Sequence, residues 1–87
     1  MTGLQSKFSF LVVDDDPHII SLLKSAFNET NYQIYTATNG PSALALMEKV
    51  RIDATLIELV MPEMDGITLL KEIKESYPET MAIMLSG

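Results

Sequence analysis

The feature that most constrains this chain is an alternation. Short apolar, strand-like runs take turns with segments whose apolar residues recur at helical spacing. Phe8 to Val13 (FSFLVV) is almost continuously apolar, as expected of a strand covered on both faces. Tyr32 to Ala37 (YQIYTA) is aromatic and β-branched but mixed in polarity, which suits an edge strand. Ala54 to Leu59 (ATLIEL) is a third strand, interrupted by Glu58, and Met81 to Leu85 (MAIML) is a fourth. Between them, Ile19, Leu22, Leu23 and Ala26, with Ile20 and Phe27 beside them, predict a helix with a wide apolar face. A second helix runs from Pro41 to about Val50 with Ala43, Leu44 and Met47 inward. A third is marked by Ile67, Leu70, Ile73, Lys74 and Tyr77 and ends before Pro78. The order β-α-β-α-β-α-β implies right-handed crossovers and a parallel sheet covered by helices, an α/β fold.

Local punctuation agrees. Asp16 can cap the first helix, and Pro17 suits its first turn. Asn39-Gly40-Pro41 is a turn, Met61 to Gly66 (MPEMDG) is a loop, and Asp65 can cap the third helix. Eighty-seven residues make one small domain, 1–87. Six basic against twelve acidic residues give a net charge of −6, which repels nucleic acid and anionic membranes. Without Cys there is no disulfide framework and no thiol nucleophile, and 47% hydrophobic content excludes a disordered acidic tail. No apolar run is long enough to span a bilayer, and Met1 to Val13 is a poor signal peptide, so a cytoplasmic chain is expected.

In sheets of this kind functional groups gather outside the carboxyl ends of the strands. Asp14 and Asp15 follow the first strand, and Glu58 lies near the end of the third. If those strands are neighbours, three carboxylates converge and need a cation or shared protons. An all-oxygen set suits Mg²⁺, and Ser86 at the end of the fourth strand would add a hydroxyl. Carboxylates, Mg²⁺ and a hydroxyl together suggest phosphoryl chemistry. The bland reading stands beside this one: Asp14 to Asp16 only cap a helix and face water, and Glu58 merely reaches solvent. Asp16 fits the capping role alone. His18, in the first helical turn, reads as surface, the Lys71/Glu75 pair as a solvated helix face, and Met61 and Met64 as packing under their loop.

LVVDDDPHI, ATNGPSALALM, DATLIELVMPEMDGITLLKEIK and IMLSG together resemble the receiver domain of two-component response regulators, from Phe8 to Gly87. The resemblance implies a flavodoxin-like parallel sheet of alternating βα units with strand order 2-1-3-4. It also implies that Asp14 and Asp15 help bind Mg²⁺, that the Val60 backbone carbonyl joins them, and that Ser86 contacts the phosphoryl group. The family's phosphoacceptor is an aspartate three residues before the Met-Pro of the loop, and here that position is Glu58. The expected partners are a sensor histidine kinase and an output domain or partner protein, with no direct nucleic-acid or membrane contact. The ending IMLSG resembles receivers fused to HD-type phosphodiesterases, while DNA-binding output domains are equally common company.

Two departures qualify the expectation. Glutamate displaces the carboxylate by about 1.5 Å, one bond length. Misplacement of about 1 Å can cost on the order of a hundredfold in rate. Glu58 is therefore either an impaired acceptor or a partial imitation of the phosphorylated state, carrying about one negative charge where a phosphoryl group carries nearly two. The family's fourth helix, fifth strand with its lysine and fifth helix are absent from these 87 residues. The fourth strand then becomes an apolar edge and the face shared by the first and last helices is half bare, so the chain is expected either to be a fragment of a longer protein or to complete its core by association. Three functions follow: a phosphorylation-responsive receiver, a degenerate receiver acting through protein contacts alone, and an enzyme. The last rests on the D-x-D of Asp14 and Asp16, as in aspartate-nucleophile phosphatases. His18 stands where those usually place Thr or Val, so a non-enzymatic role is expected.

Overall fold

The computed structural model describes residues 7–28, 31–61 and 63–85. Its elements are β1 (Phe8–Val13), α1 (Pro17–Ala26), β2 (Tyr32–Ala37), α2 (Gly40–Met47), β3 (Ala54–Glu58), α3 (Gly66–Ser76) and β4 (Met81–Leu85). Each helix begins where a short polar side chain satisfies an otherwise unpaired amide. Asp16 accepts from the His18 amide, Asn39 from Ser42 and Asp65 from Thr68, at 2.8–2.9 Å. The second helix stops at Met47 rather than reaching Val50. The amides of Lys49 and Val50 both turn back to the Leu46 carbonyl, which tightens and closes the last turn.

The four strands form one parallel sheet in the order β2-β1-β3-β4. This is the flavodoxin-like arrangement expected, with β2 and β4 as its edges. In the register Val13 lies beside Ala37 on one side and Ile57 on the other. β3 ends one residue earlier than expected, with Glu58 beside Leu85.

Strand alternation divides the apolar side chains between two faces. Leu11, Val13 and Ile57 point toward α2 and α3, where they pack with Ala43, Met47, Leu69 and Ile73 in the main core. Burying each of the larger members is worth about 1.5–3 kcal/mol. The opposite face is thinner. Val12 and Ala54 are buried there, but Ile83 is 40% exposed and Met81 58% exposed.

α1 covers only part of that face, and the wide apolar face expected of this helix is largely left unburied. Among the described residues no α1 side chain is buried, and Leu22 is 65% exposed. An amphipathic face buries only what lies opposite it, and no described element flanks α1 on the β3–β4 side. The helix is tied instead at its end by an aromatic cluster. Phe27, its C-cap, stacks on Phe10 (5.4 Å) and meets Tyr32 edge-on (5.6 Å), and Phe8 packs against both Phe10 and Tyr32.

Candidate functional site

The adjacency of β1 and β3 determines the site. Because Val13 and Ile57 are register partners, the residues that follow them, Asp14 and Glu58, leave the sheet side by side at its carboxyl edge. Asp14 is 2% exposed, a buried carboxylate at a strand tip. Its amide donates to the Ala37 carbonyl of β2 at 3.1 Å, and its Oδ1 accepts from the Asp16 amide at 2.9 Å. Burial pushes its pKa up. The Asp16 amide opposes that shift, while the charges of Glu58, Asp15 and Asp16 add to it. Asp14 thus sits in a desolvated position among like charges with one hydrogen bond to offset the cost.

Asp15 is exposed beside it, and Asp16 serves the helix as its cap. Glu58 is half-buried, and its side chain turns back on its own backbone: Oε1 accepts from the Leu59 amide at 3.0 Å. The same amide also reaches the Leu85 carbonyl of β4 at 3.2 Å. The extra methylene of glutamate is what allows the carboxylate to reach the amide that follows it. Val60 is 74% exposed in the loop after β3. Ser86 lies outside the described residues. Among the described residues no three acidic or histidine side chains converge closely enough to cage a cation by themselves.

Met61 enters the core, Glu63 takes a left-handed conformation (φ 73°), and Asp65 caps α3. The Thr68 amide holds the Asp65 carboxyl below its ordinary range. Gly66 marks the closest approach. Its amide donates to the Leu59 carbonyl at 2.9 Å, and a Cβ there would meet the Glu58 carbonyl oxygen and the Met84 methyl. Sequence reasoning placed Gly66 only as turn punctuation; its contact with the β3 end depends on how α3 docks. His18 is solvated as expected, its side chain 96% exposed. Lys71 and Glu75 are exposed as well.

The structure is an open parallel α/β sheet with the Asp14 and Glu58 carboxylates at the carboxyl ends of its two adjacent central strands. The chain belongs to the response regulator receiver domain family, whose model matches residues 10–87. It is 38% identical over 77 residues to the heme response regulator HssR of Staphylococcus aureus, covering 88% of this chain and 34% of that protein. The chain thus spans about a third of the length of the curated relatives it matches. Among solved structures it is similar to the receiver domain of Francisella response regulator 1452 (TM-score 0.82, 36% identity, 90% of this chain and 64% of that one). The receiver domain of an HD domain-containing protein from Pseudomonas fluorescens Pf-5 gives TM-score 0.92 at 30% identity, with coverages of 94% and 66%. The response regulator TrrA of Thermotoga maritima, solved in complex with Mg²⁺–BeF, gives TM-score 0.83 at 35% identity, with coverages of 90% and 68%. Receiver domains are signalling modules of two-component systems, and phosphorylation is the signal this family uses. Among the described residues no helix is long and apolar enough to cross a membrane.

Proposed function

We propose that residues 1–87 form a receiver module, incomplete relative to the family, whose acceptor position is impaired by Glu58. The single observation that carries this reading is the buried Asp14 carboxylate beside Glu58, raised in pKa by desolvation and by its acidic neighbours. A site so short of positive charge favours a hard cation. Mg²⁺ is commonly held by one or two carboxylates with waters completing the shell, so the donor chemistry fits even without a three-carboxylate cage. Asp14, Asp15, Glu58 and the Val60 carbonyl are the residues that would hold it. When bound, Mg²⁺ would neutralise charge on a phosphoryl group entering the crevice.

The protein's own contribution is positional. Asp14 is fixed by the Ala37 carbonyl and the Asp16 amide. Glu58 would be the group facing a phosphodonor, with Ser86 as the hydroxyl contacting the phosphoryl oxygens. One Glu58 oxygen accepts from the Leu59 amide and is to that extent occupied. The upstream partner would be a sensor histidine kinase, and the downstream one an output domain or partner protein. The module itself would be no enzyme and would act in the cytoplasm, without direct contact to nucleic acid or membrane. The exposed apolar side chains of β4, Met81 and Ile83, would be covered either by further chain of a longer protein or by self-association through that edge.

A second reading is favoured by the same folded-back carboxylate: a degenerate receiver that works through protein contacts without phosphotransfer. Acetyl phosphate with Mg²⁺, read by intact mass, separates the two. The expected result is no phosphoryl adduct on the natural chain and one adduct on Glu58→Asp. Failure of both to gain the adduct leaves only the interaction reading. A stoichiometric adduct on the natural chain shows that Glu58 is not impaired.

A further inference from the structure

We infer that Met64 and Gly40 form a positioning contact that sets the site loop from the start of α2. Gly40 opens that helix and is buried, and its φ is not positive, so backbone freedom is not what places glycine there. Space is. A Cβ at Gly40 would lie 2.6 Å from Met64 Sδ, 2.9 Å from its Cβ and 3.1 Å from its Cγ. Met64 therefore occupies the volume a larger residue at 40 would fill, and it packs against the main core from there.

The contact matters because of what the loop carries. Leu59 to Asp65 is pinned at its far end, where the Gly66 amide holds the Leu59 carbonyl. Met61 is buried at one side of the loop, and Met64 is seated on Gly40 at the other. Between these two anchors the chain passes through the left-handed Glu63, a conformation costly for a side-chain-bearing residue unless its surroundings impose it. Val60, whose carbonyl is the loop's candidate metal donor, lies just before Met61. A displaced Met64 would also give up its packing against the main core.

Gly40 and Met64 are thus positioning residues, acting through the loop. This inference rests on the Mg²⁺ reading for its functional consequence, but not for the contact itself. The test is a double-mutant cycle on the full chain with Gly40→Ala, Met64→Gly and the pair. Two readouts are taken: backbone amide shifts of Leu59, Val60 and Glu63 without metal, and Mg²⁺ affinity by titration. Alanine suits a helix start, and the three atoms nearest a Cβ at position 40 all belong to Met64. Expected are displaced loop amides in Gly40→Ala and a loss of Mg²⁺ affinity on the order of tenfold, the scale of changes to groups that orient metal ligands. In the Met64→Gly background, which has lost all three clashing atoms, the added Gly40→Ala should change neither readout. Loop amides that stay in place in Gly40→Ala, or that move equally in both backgrounds, overturn the contact's role. If the amides behave as expected and the affinity does not change, the contact sets the loop but not the metal site, and the inference about function fails. If the natural chain binds no Mg²⁺ at all, the metal reading itself falls, and the amide shifts still decide whether Met64 and Gly40 set the loop.

Discussion

Asp53 closes onto Ser9 at the end of the sheet opposite the acidic crevice. The Ser9 amide donates to Asp53 Oδ2 at 2.8 Å, and the Asp53 amide donates back to the Ser9 carbonyl at 3.0 Å and to its Oγ at 3.1 Å. The Ser9 hydroxyl has the Arg51 carbonyl at 2.7 Å and Asp53 Oδ2 at 3.0 Å as acceptors. The Asp53 carbonyl in turn accepts from the Met81 amide at 2.9 Å, so one residue joins the entrances of β1, β3 and β4.

This latch predicts a pH dependence. The Ser9 amide holds the Asp53 carboxyl below its ordinary value of 3.8; desolvation opposes it, and the Ser9 hydroxyl and the Arg51 charge add smaller lowering effects. A carboxyl depressed in the folded state stabilises the fold at pH values above 3.8, and that contribution is lost as pH falls through the folded value. Asp53→Asn keeps an oxygen for the Ser9 amide but removes the charge, and should lower stability at neutral pH by about 0.5–1.5 kcal/mol, the scale of one hydrogen bond's net contribution. It should also shrink the difference between urea unfolding at pH 7 and at acid pH. An unchanged acid limb would remove Asp53 from the account.

Asp14 has the opposite sign. Its pKa is raised, so its penalty is complete when it is ionised in both states and vanishes below 3.8, where both states are protonated. Asp14→Asn keeps an oxygen for the Asp16 amide and removes the charge. Without divalent cations at neutral pH it should stabilise the chain by about 1 kcal/mol, within the common range for stabilising single changes. Added Mg²⁺ should raise the melting temperature of the natural chain and leave the variant unmoved. Thermal melts with and without Mg²⁺ check both halves.

Gly66→Ala should be costly for a reason independent of φ. The new methyl would meet the Glu58 carbonyl oxygen, lie 2.9 Å from Met84 Cε and 3.0 Å from Leu59 Cα. Backbone atoms of β3 cannot step aside as a flexible side chain can. A loss of about 1–3 kcal/mol is expected in equilibrium unfolding, the scale of overpacked sites. Native-state hydrogen exchange should show the Gly66 amide losing protection first.

α1 and α3 should differ sharply under the same truncation. Leu69→Ala, at a site with no solvent exposure, should cost about 2–5 kcal/mol. Leu22→Ala should stay within about 0.5 kcal/mol, since Leu22 is largely exposed already. Denaturant midpoints of the two variants measure this directly, and equal losses would mean that α1 is covered in solution.

What the sequence determined by itself is the local layer. Strand and helix periodicities, the caps Asp16 and Asp65, the turn at Asn39, the halt before Pro78 and the family motifs all depend on residues within a few positions of one another. The order of elements then left little choice of topology, because parallel crossovers take one hand. The proximity of Asp14 and Glu58 was legible only on the condition that β1 and β3 are neighbours, and the register met that condition. The tertiary structure alone decided the rest. Ser9 and Asp53 are 44 positions apart, Gly40 and Met64 are 24 apart, and Gly66 touches the end of β3 only because α3 docks against it. The outward turn of Leu22 was equally hidden, since an apolar stripe records what a helix can bury and only its neighbours determine what it does bury. The curl of Glu58 onto the Leu59 amide belongs to the same layer. Its spacing is local, yet whether that carboxylate faces Asp14 or its own backbone is seen only in the folded chain.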